Sequence, residues 1–204
     1  MARPQSKDYD DRKQKILDAS SQLFAKNGYH KASVSSIAIA CDMSKALLYH
    51  YYSSKQEILY NVMLEHVQEL DVLAKAAVKN ELPAETALKM IIEQYLDIYK
   101  TRVNQHHLLI NELDSLTSIQ KDKIIKIQNS VVDVFADLAE AICPTSLERH
   151  QAKTAISMLM LGMINWTYIW YKPEGSISSS QLANIITCLF IDGISGLKDS
   201  SFEV

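Results

Sequence analysis

The chain has 204 residues, of which 48% are apolar, so it can fill the core of one or two folded domains and is not a disordered chain. Glycine (5) and proline (4) are scarce, and good helix formers dominate. This composition favours an all-α fold over classes rich in strands and turns. The net charge of −3 excludes a uniformly basic, nucleic-acid-coating protein.

The cysteines and the amino-terminal residues indicate the cellular compartment of the protein. The three cysteines, Cys41, Cys143 and Cys188, are odd in number and far apart, which argues against a disulfide framework or a paired-cysteine metal site. Residues 1–7 are polar, and no run of about 18 apolar residues occurs. We therefore expect a cytoplasmic protein with reduced thiols and no membrane partner.

The charge is unevenly distributed along the chain. Residues 1–55 contain nine lysines and arginines against five acidic residues, whereas residues 56–204 contain twelve against nineteen. A basic head on an acidic body suits a protein in which only the head meets phosphate, since each neutralised phosphate releases counterions.

The first fifty-five residues predict three helices. Tyr9 to Asn27 carries an apolar stripe and ends at Gly28, which can adopt the left-handed conformation that terminates helices. Ser33 is a natural cap for a short second helix, and Ser44 caps a third over 45–51. Two short helices joined by a tight turn are typical of a helix-turn-helix.

The remainder predicts a larger helical body. Further helices are expected at about 54–80, 84–102, 104–115, 118–142, 147–171 and 178–198. The predicted fold is all-α, with about nine helices: a three-helix head, residues 1–55, and a ligand-binding and dimerisation body, residues 56–204.

A specific pattern runs through the head. It comprises Gly28-Tyr29, a Ser33-capped helix containing Ile37-Ala38, and Ser44-x-x-x-Leu48-Tyr49-x-Tyr51-Tyr52-x-x-Lys55. Over residues 11–62 the sequence resembles the DNA-binding head of the TetR family of transcriptional regulators, and the body matches that family only in helical layout. Three residues depart from the usual pattern: Asp42 replaces a turn glycine, Met43 a valine and Tyr52 a phenylalanine.

The predicted DNA contacts lie at the starts of the second and third helices and along the outward face of the third. Serine hydroxyls and free amides at helix starts can hold phosphates, while Lys45, Ala46 and His50 can reach base edges in the major groove. The resemblance further implies a phosphate clamp of Tyr49, Tyr51 and Lys55. The full predicted set is Ser33, Ser35, Ser44, Lys45, Ala46, Tyr49, His50, Tyr51 and Lys55.

A second informative stretch is the aromatic segment from Gly162 to Gly175. It resembles the TetR-family subgroup that controls lipid, steroid-ring or aromatic-acid breakdown and responds to acyl-CoA thioesters. Asn165, Trp166 and Trp170 are the predicted effector-binding residues, as a polar anchor and apolar walls. Lys172 and Arg149 are candidates for a basic mouth. The competing interpretation is that these aromatics only pack the core or a subunit interface.

Two apolar stripes in the last long helices predict a homodimer through a four-helix interface, which the TetR resemblance also implies. The predicted interface residues are Ile156, Met160, Met163, Ile186, Leu189, Phe190 and Gly193. Some of these residues must also serve the core within one chain.

Adjacent His106 and His107 point in different directions on a helix, so no metal site is expected.

We interpret the chain as a transcriptional regulator that needs no cofactor and is not an enzyme. The favoured function is a repressor that leaves a near-palindromic DNA operator when a small-molecule effector binds, with an acyl-CoA thioester as the favoured effector. One alternative is a multidrug-responsive repressor of an efflux gene. Another is a helical enzyme with a DNA-binding head, but no phosphate loop, nucleophile set or carboxylate pair supports it.

Overall fold

The computed structural model describes residues 7–79, 82–143, 152–172 and 174–196. All regular elements in these ranges are helical, so the predicted all-α class is confirmed. The helices are α1 (Lys7–Asn27), α2 (Val34–Ala40), α3 (Lys45–Tyr51), α4 (Lys55–Lys79), α5 (Ala84–Thr101), α6 (Val103–Asn111), a 3-10 turn η1 (Leu113–Ser115), α7 (Ser118–Ile142), α8 (Lys153–Asn165), α9 (Thr167–Trp170) and α10 (Ser179–Ser195). No helix in the described ranges is long and apolar enough to cross a membrane.

Two predicted helices are interrupted. The helix expected over 104–115 ends at Asn111, whose side-chain amide donates to the carbonyl of His107 at 2.8 Å and thereby competes with the helical pattern. The helix expected over 147–171 is divided at Trp166, where the Ile169 amide donates to a carbonyl three residues back. The start of that predicted helix, residues 147–151, lies outside the described residues.

The chain forms two compact units. One contains the residues up to Val67 together with Asn104–Ile124, and the other contains Gln68–Val103 together with the residues from Ile125 onward. Helices α4 and α7 therefore contribute to both units. The functional division at residue 55 stays a prediction, because compactness and function are separate criteria.

The first unit is held together by a small apolar core. Its fully buried side chains come from α1 to α4 and include Ile16, Phe24, Ile37, Leu48 and Ile58. The α2 to α3 turn is fixed from α1, since Lys15 pairs with Asp42 at 3.3 Å and the Cys41 thiol lies 3.8 Å from the carbonyl of Lys15. This packing holds α3 in a fixed orientation, with its polar face outward.

The second unit is built around α5, which packs mainly against α10. Apolar residues recur on α5 at helical spacing, and Leu88, Ile91, Ile92 and Tyr95 are at most 1% exposed. The Tyr95 hydroxyl donates to the carbonyl of Leu70 at 2.8 Å, so its polar atom is satisfied within the core. This unit therefore has a rigid interior on which a ligand site can be built.

The turn between α2 and α3 makes one stability prediction. Asp42 has a φ of 55°, the left-handed region that favours glycine. Asp42→Gly and Asp42→Ala both remove the ion pair with Lys15, so the difference between their stabilities reflects only the cost of the left-handed backbone. We expect the glycine variant to be more stable by about 1 kcal/mol. Chemical denaturation measures this, and equal stability of the two variants would contradict it.

Candidate DNA-contact surface and ligand cavity

The start of α2 presents two exposed serines. Ser33 caps the helix, since its hydroxyl oxygen accepts the amide of Ser36 at 3.0 Å, and the Ser36 hydroxyl accepts the amide of Ser33 at 3.1 Å. Ser35 lies beside them and is exposed. Both predicted phosphate contacts are thus on the surface, although the oxygen of Ser33 already serves the helix.

Helix α3 presents one polar face. The hydroxyl oxygen of Ser44 accepts the amide of Leu47 at 3.1 Å and so caps its start. Leu48 is completely buried, which fixes the rotation of the helix. Consequently the predicted contact residues on the other side of α3 are exposed: Lys45, Ala46, Tyr49 and His50. The ammonium of Lys45 lies 5.8 Å from the centre of the Tyr49 ring, so the two side chains share one patch.

The tyrosines at the end of α3, Tyr51 and Tyr52, are less exposed than the residues of that patch. The ring of Tyr51 is half-buried and packs on the ring of Tyr9 from α1, with centres 4.9 Å apart. Tyr52 is 3% exposed, and burial raises the pKa of its hydroxyl, with smaller contributions from Glu65 and Glu57. Tyr52 therefore belongs to the core, as its apolar counterpart in the family pattern implies.

Lys55 has a different environment from the one that the phosphate clamp requires. Its half-buried ammonium donates to the carbonyls of Tyr29 at 2.8 Å, Ala32 at 3.0 Å and His30 at 3.3 Å. It also lies 4.3 Å from the centre of the Tyr29 ring. Because an ammonium has three donors, these carbonyls account for all of them. Lys55 joins the start of α4 to the loop before α2 and thereby positions Ser33.

A substitution separates this positioning role from phosphate binding. Lys55→Met keeps the alkyl chain but removes all three charge-assisted hydrogen bonds, so we expect the free energy of unfolding to fall by about 2–3 kcal/mol. Lys31→Met, an exposed lysine in the same loop, is the control and leaves stability unchanged. Chemical denaturation measures both. Unchanged stability of Lys55→Met with a flatter salt dependence of DNA binding would restore the clamp interpretation.

Two histidines form a buried pair in the first unit. Nε2 of His66 on α4 lies 3.1 Å from Nδ1 of His106 on α6, and both residues are at most 1% exposed. Sequence reasoning missed His66 because its partner is 40 residues away. Among the described residues, no group of three or more His, Cys, Asp or Glu side chains has a metal-binding arrangement. The pair joins α4 to α6.

The second unit contains a cavity of about 210 Å³ beside the carboxyl end of α5. Its walls are mainly aromatic and aliphatic: Tyr99, Tyr168, Tyr171, Leu96 and Val103, with Thr167. Lys100 supplies a cationic group at the cavity and is exposed to solvent. Sequence reasoning selected the segment that forms one wall but missed the residues from α5, whose spacing is that of ordinary core positions.

The predicted effector residues lie around this cavity but do not line it. The Trp166 and Trp170 side chains are 61% and 51% exposed. Helical geometry explains this, because a segment that directs Thr167, Tyr168 and Tyr171 inward directs the neighbouring Trp166 and Trp170 outward. Asn165 lies behind the wall, where its side-chain oxygen accepts the Tyr99 hydroxyl at 2.7 Å. Lys172 is exposed, and Arg149 lies outside the described residues.

The predicted interface residues divide into two groups. Four are buried within the second unit itself: Ile156, Met160, Ile186 and Phe190. Their burial follows from the i, i+3, i+4 stripe that faces α5, so they are core residues in a single chain. Met163 is 39% exposed, Leu189 is 64% exposed, and Gly193 is also on the surface.

Further exposed apolar residues accompany this second group. Leu159 on α8, Trp166 directly after α8, and Ile185 on α10 are all more than 40% exposed. A Cβ added at Gly162 or Gly193 would meet no atom within 4 Å, so both glycines open onto free space. We call the surface formed by Leu159, Gly162, Met163, Trp166, Ile185, Leu189 and Gly193 the α8/α10 face. Exposed apolar and aromatic side chains of this kind are typical of a protein interface.

Comparisons with known proteins agree with this architecture. A family model described as "Tetracyclin repressor-like, C-terminal domain" matches residues 81–194, and one described as "Bacterial regulatory proteins, tetR family" matches residues 16–62. The crystal structure of a TetR-family transcriptional regulator from Bordetella parapertussis 12822 is 31% identical with a TM-score of 0.86, covering 94% of this chain and 100% of that one.

Two further comparisons concern regulators with named roles. The HTH-type transcriptional activator FasR of Mycolicibacterium smegmatis is 29% identical over 76% of this chain and 68% of its own length. AibR, whose crystal structure contains isovaleryl coenzyme A and operator DNA, is 24% identical with a TM-score of 0.75, covering 87% of this chain and 97% of that one. The second likeness concerns the fold alone.

Proposed function

Because the chain belongs to the TetR family of transcriptional regulators, we propose that it binds a near-palindromic operator in double-stranded DNA as a homodimer and leaves it when a small-molecule effector binds. The observation that carries this proposal is the exposed polar patch on α3, held outward by the buried Leu48. Helix α3 has seven residues and is therefore about 10 Å long, a length that fits the floor of one major groove.

The patch offers the chemistry that base reading requires. The ammonium of Lys45 can donate to guanine O6 and N7, and Ala46 permits close approach or contact with a thymine methyl group. Tyr49 and His50 can donate to bases or phosphates. Ser33, Ser35 and Ser44 lie at helix starts, where phosphates are favoured, so they fix the orientation of α3 on the backbone.

The homodimer is supported by the α8/α10 face. Exposed apolar side chains on two neighbouring helices are costly in water, and a second copy of the same face covers both sets at once. The glycines at 162 and 193 allow the partner's helices to approach closely. A two-fold dimer presents two α3 helices, and this arrangement requires two half-sites in inverted repeat.

Repression is the mode that we favour for this chain. A protein that occupies an operator and is displaced by its effector blocks transcription until the effector is present. The relative FasR is named an activator, so the direction of control is a property to be measured by in vitro transcription with and without the protein.

Selection of bound duplexes from a random-sequence pool tests the proposal. We expect enrichment of one inverted repeat whose half-sites are separated by one or more helical turns, bound by two protomers in each complex. A Leu48→Asp variant serves as the negative control, because it removes the buried apolar side chain that orients α3. Absence of any enriched sequence with the wild-type protein would refute sequence-specific binding.

A further inference from the structure

We propose that the cavity at Tyr99 and Lys100 is the effector site and that it takes a compact apolar or aromatic acyl group joined to an anionic group. This inference rests on the proposed function for its regulatory meaning, but the binding that it predicts is independent of DNA. It moves the expected site from Trp166 and Trp170 to residues of α5 and to the inward face of the Thr167–Tyr171 segment.

The volume of the cavity limits what can enter it. At about 210 Å³ it is smaller than the range of about 300–1,000 Å³ that is usual for drug-sized ligands. A dry cavity of about 150 Å³ holds benzene, so this one has room for a substituted ring or a short branched acyl chain. A larger ligand has room for only one such group inside, with the remainder in solvent.

Hydrogen bonding within the wall leaves an apolar interior. The Tyr99 hydroxyl donates to Asn165, the Thr167 hydroxyl donates to the carbonyl of Ile164 at 2.7 Å, and the Tyr171 hydroxyl donates to the carbonyl of Ile177 at 3.2 Å. Burial raises the pKa of Tyr99 well above its ordinary value, so this hydroxyl stays protonated and remains a donor. The donors of these three residues are therefore committed to the protein, and the space between them favours apolar atoms.

The charge at the cavity selects the sign of the ligand. Lys100 is the charged side chain among the described lining residues, and no carboxylate lines the cavity within the described ranges. An anionic group placed beside this ammonium gains a charge-assisted contact, whereas a cation is repelled. The cavity therefore disfavours the cationic drugs expected of a multidrug-responsive regulator.

Two sources supply this ligand chemistry. In a free carboxylic acid, the carboxylate itself meets Lys100 while the apolar group enters the cavity. In a coenzyme A thioester, the acyl group enters and the phosphates of the carrier remain outside. Both place an apolar group in the cavity, so the experiment must distinguish them.

The location of the cavity allows a bound ligand to affect the proposed dimer interface. The hydrogen bond from Tyr99 to Asn165 joins α5 to the end of α8, and the next residue, Trp166, belongs to the α8/α10 face. A ligand that fits only one arrangement of this junction stabilises that arrangement, and it shifts the DNA-bound population only through such a difference in affinity.

Calorimetric titration of the full-length protein without DNA tests the site. The probes are isovalerate, phenylacetate, their coenzyme A thioesters and phenethylammonium, a cation matched in size to phenylacetate. We expect at least one anionic probe to bind and the cation not to bind. Binding of the thioesters alone, or of the free acids alone, identifies the source. Binding of phenethylammonium, with or without an anionic probe, or of no probe, would overturn the proposed ligand class.

Three variants locate the binding. Lys100→Gln removes the cation, and we expect a loss of affinity of about tenfold or more for the anionic probe. Val103→Trp fills the cavity from its rim and should abolish binding, with circular dichroism and thermal unfolding verifying the fold. Lys89→Gln, a partly exposed lysine on the same helix, is the matched control and should bind as the wild type does. Wild-type affinity in both Lys100→Gln and Val103→Trp would overturn the assignment of this cavity.

A second measurement distinguishes ligand binding at the cavity from the effect of that ligand on DNA binding. The same probe is added to the complex with the selected DNA, and we expect release in the wild type but not in Val103→Trp. Probe binding without release would refute the effector role while leaving the ligand site intact. Failure of the wild type to bind any DNA sequence would refute the proposed function, and the calorimetric result would stand by itself.

Discussion

Leu189→Glu should convert the homodimer into monomers and reduce operator affinity by about 100-fold or more. Leu189 is 64% exposed at the α8/α10 face, so the substitution leaves the core of the second unit intact. In a dimer formed through this face, each protomer would bury a glutamate without a partner, which costs several kcal/mol for each ion. A monomer then loses the second head, which in the dimer binds its half-site at a high effective concentration.

Val72→Glu is the matched control for this experiment. Val72 is an apolar residue of the same unit and is 63% exposed, but it lies on α4 and is not one of the residues that define the α8/α10 face. We expect it to remain dimeric and to bind the operator normally. Sedimentation velocity and fluorescence anisotropy measure the two properties. A dimer in Leu189→Glu, or a monomer in Val72→Glu, would place the interface elsewhere.

Lys45→Ala should reduce operator affinity by the second largest amount, after Leu189→Glu. Loss of one donor to a base edge costs about 1–3 kcal/mol for each contact, which corresponds to roughly 5- to 150-fold in affinity. The variant should also tolerate base changes at one position of each half-site. A purely phosphate-binding lysine would instead weaken binding to all sequences equally and reduce the salt slope by about one.

Lys123→Ala separates these effects from a general loss of charge. Lys123 is exposed at the start of α7, within the first unit but outside α2 and α3. Both variants change the net charge by the same amount, so a long-range electrostatic effect would weaken both. We expect only Lys45→Ala to lose affinity and base preference in anisotropy titrations over a range of salt concentrations. Equal losses in the two variants would remove Lys45 from the base-reading surface.

Local signals in the sequence were sufficient to predict the head. The capping serines at 33 and 44 and the buried Leu48 determine where α2 and α3 begin and how α3 is rotated, and all three are readable from a short window. Asp42 replaces a turn glycine of the family pattern, and its φ of 55° is the left-handed conformation that glycine favours. The family followed from this pattern and the all-α class from the composition, and both are confirmed.

Other features depend on tertiary contacts that local sequence patterns do not encode. Lys55 has the spacing of a phosphate-binding residue, but the loop that supplies its three carbonyls folds back over 20 residues of chain, which no local pattern encodes. The apolar stripes of α8 and α10 predicted burial correctly, yet periodicity cannot distinguish burial against α5 from burial against a second protomer. The same ambiguity placed Trp166 in the cavity, whereas its side chain is exposed.

Methylation interference on the selected duplex tests the central claim most directly, because guanine N7 lies in the major groove, where α3 is proposed to bind. We predict two symmetric clusters of interfering guanines, one in each half-site and separated by one or more helical turns, with the cluster contacts weakened in Lys45→Ala. Interference restricted to the minor groove, or none at any guanine of a duplex that the protein binds, would contradict recognition by this surface.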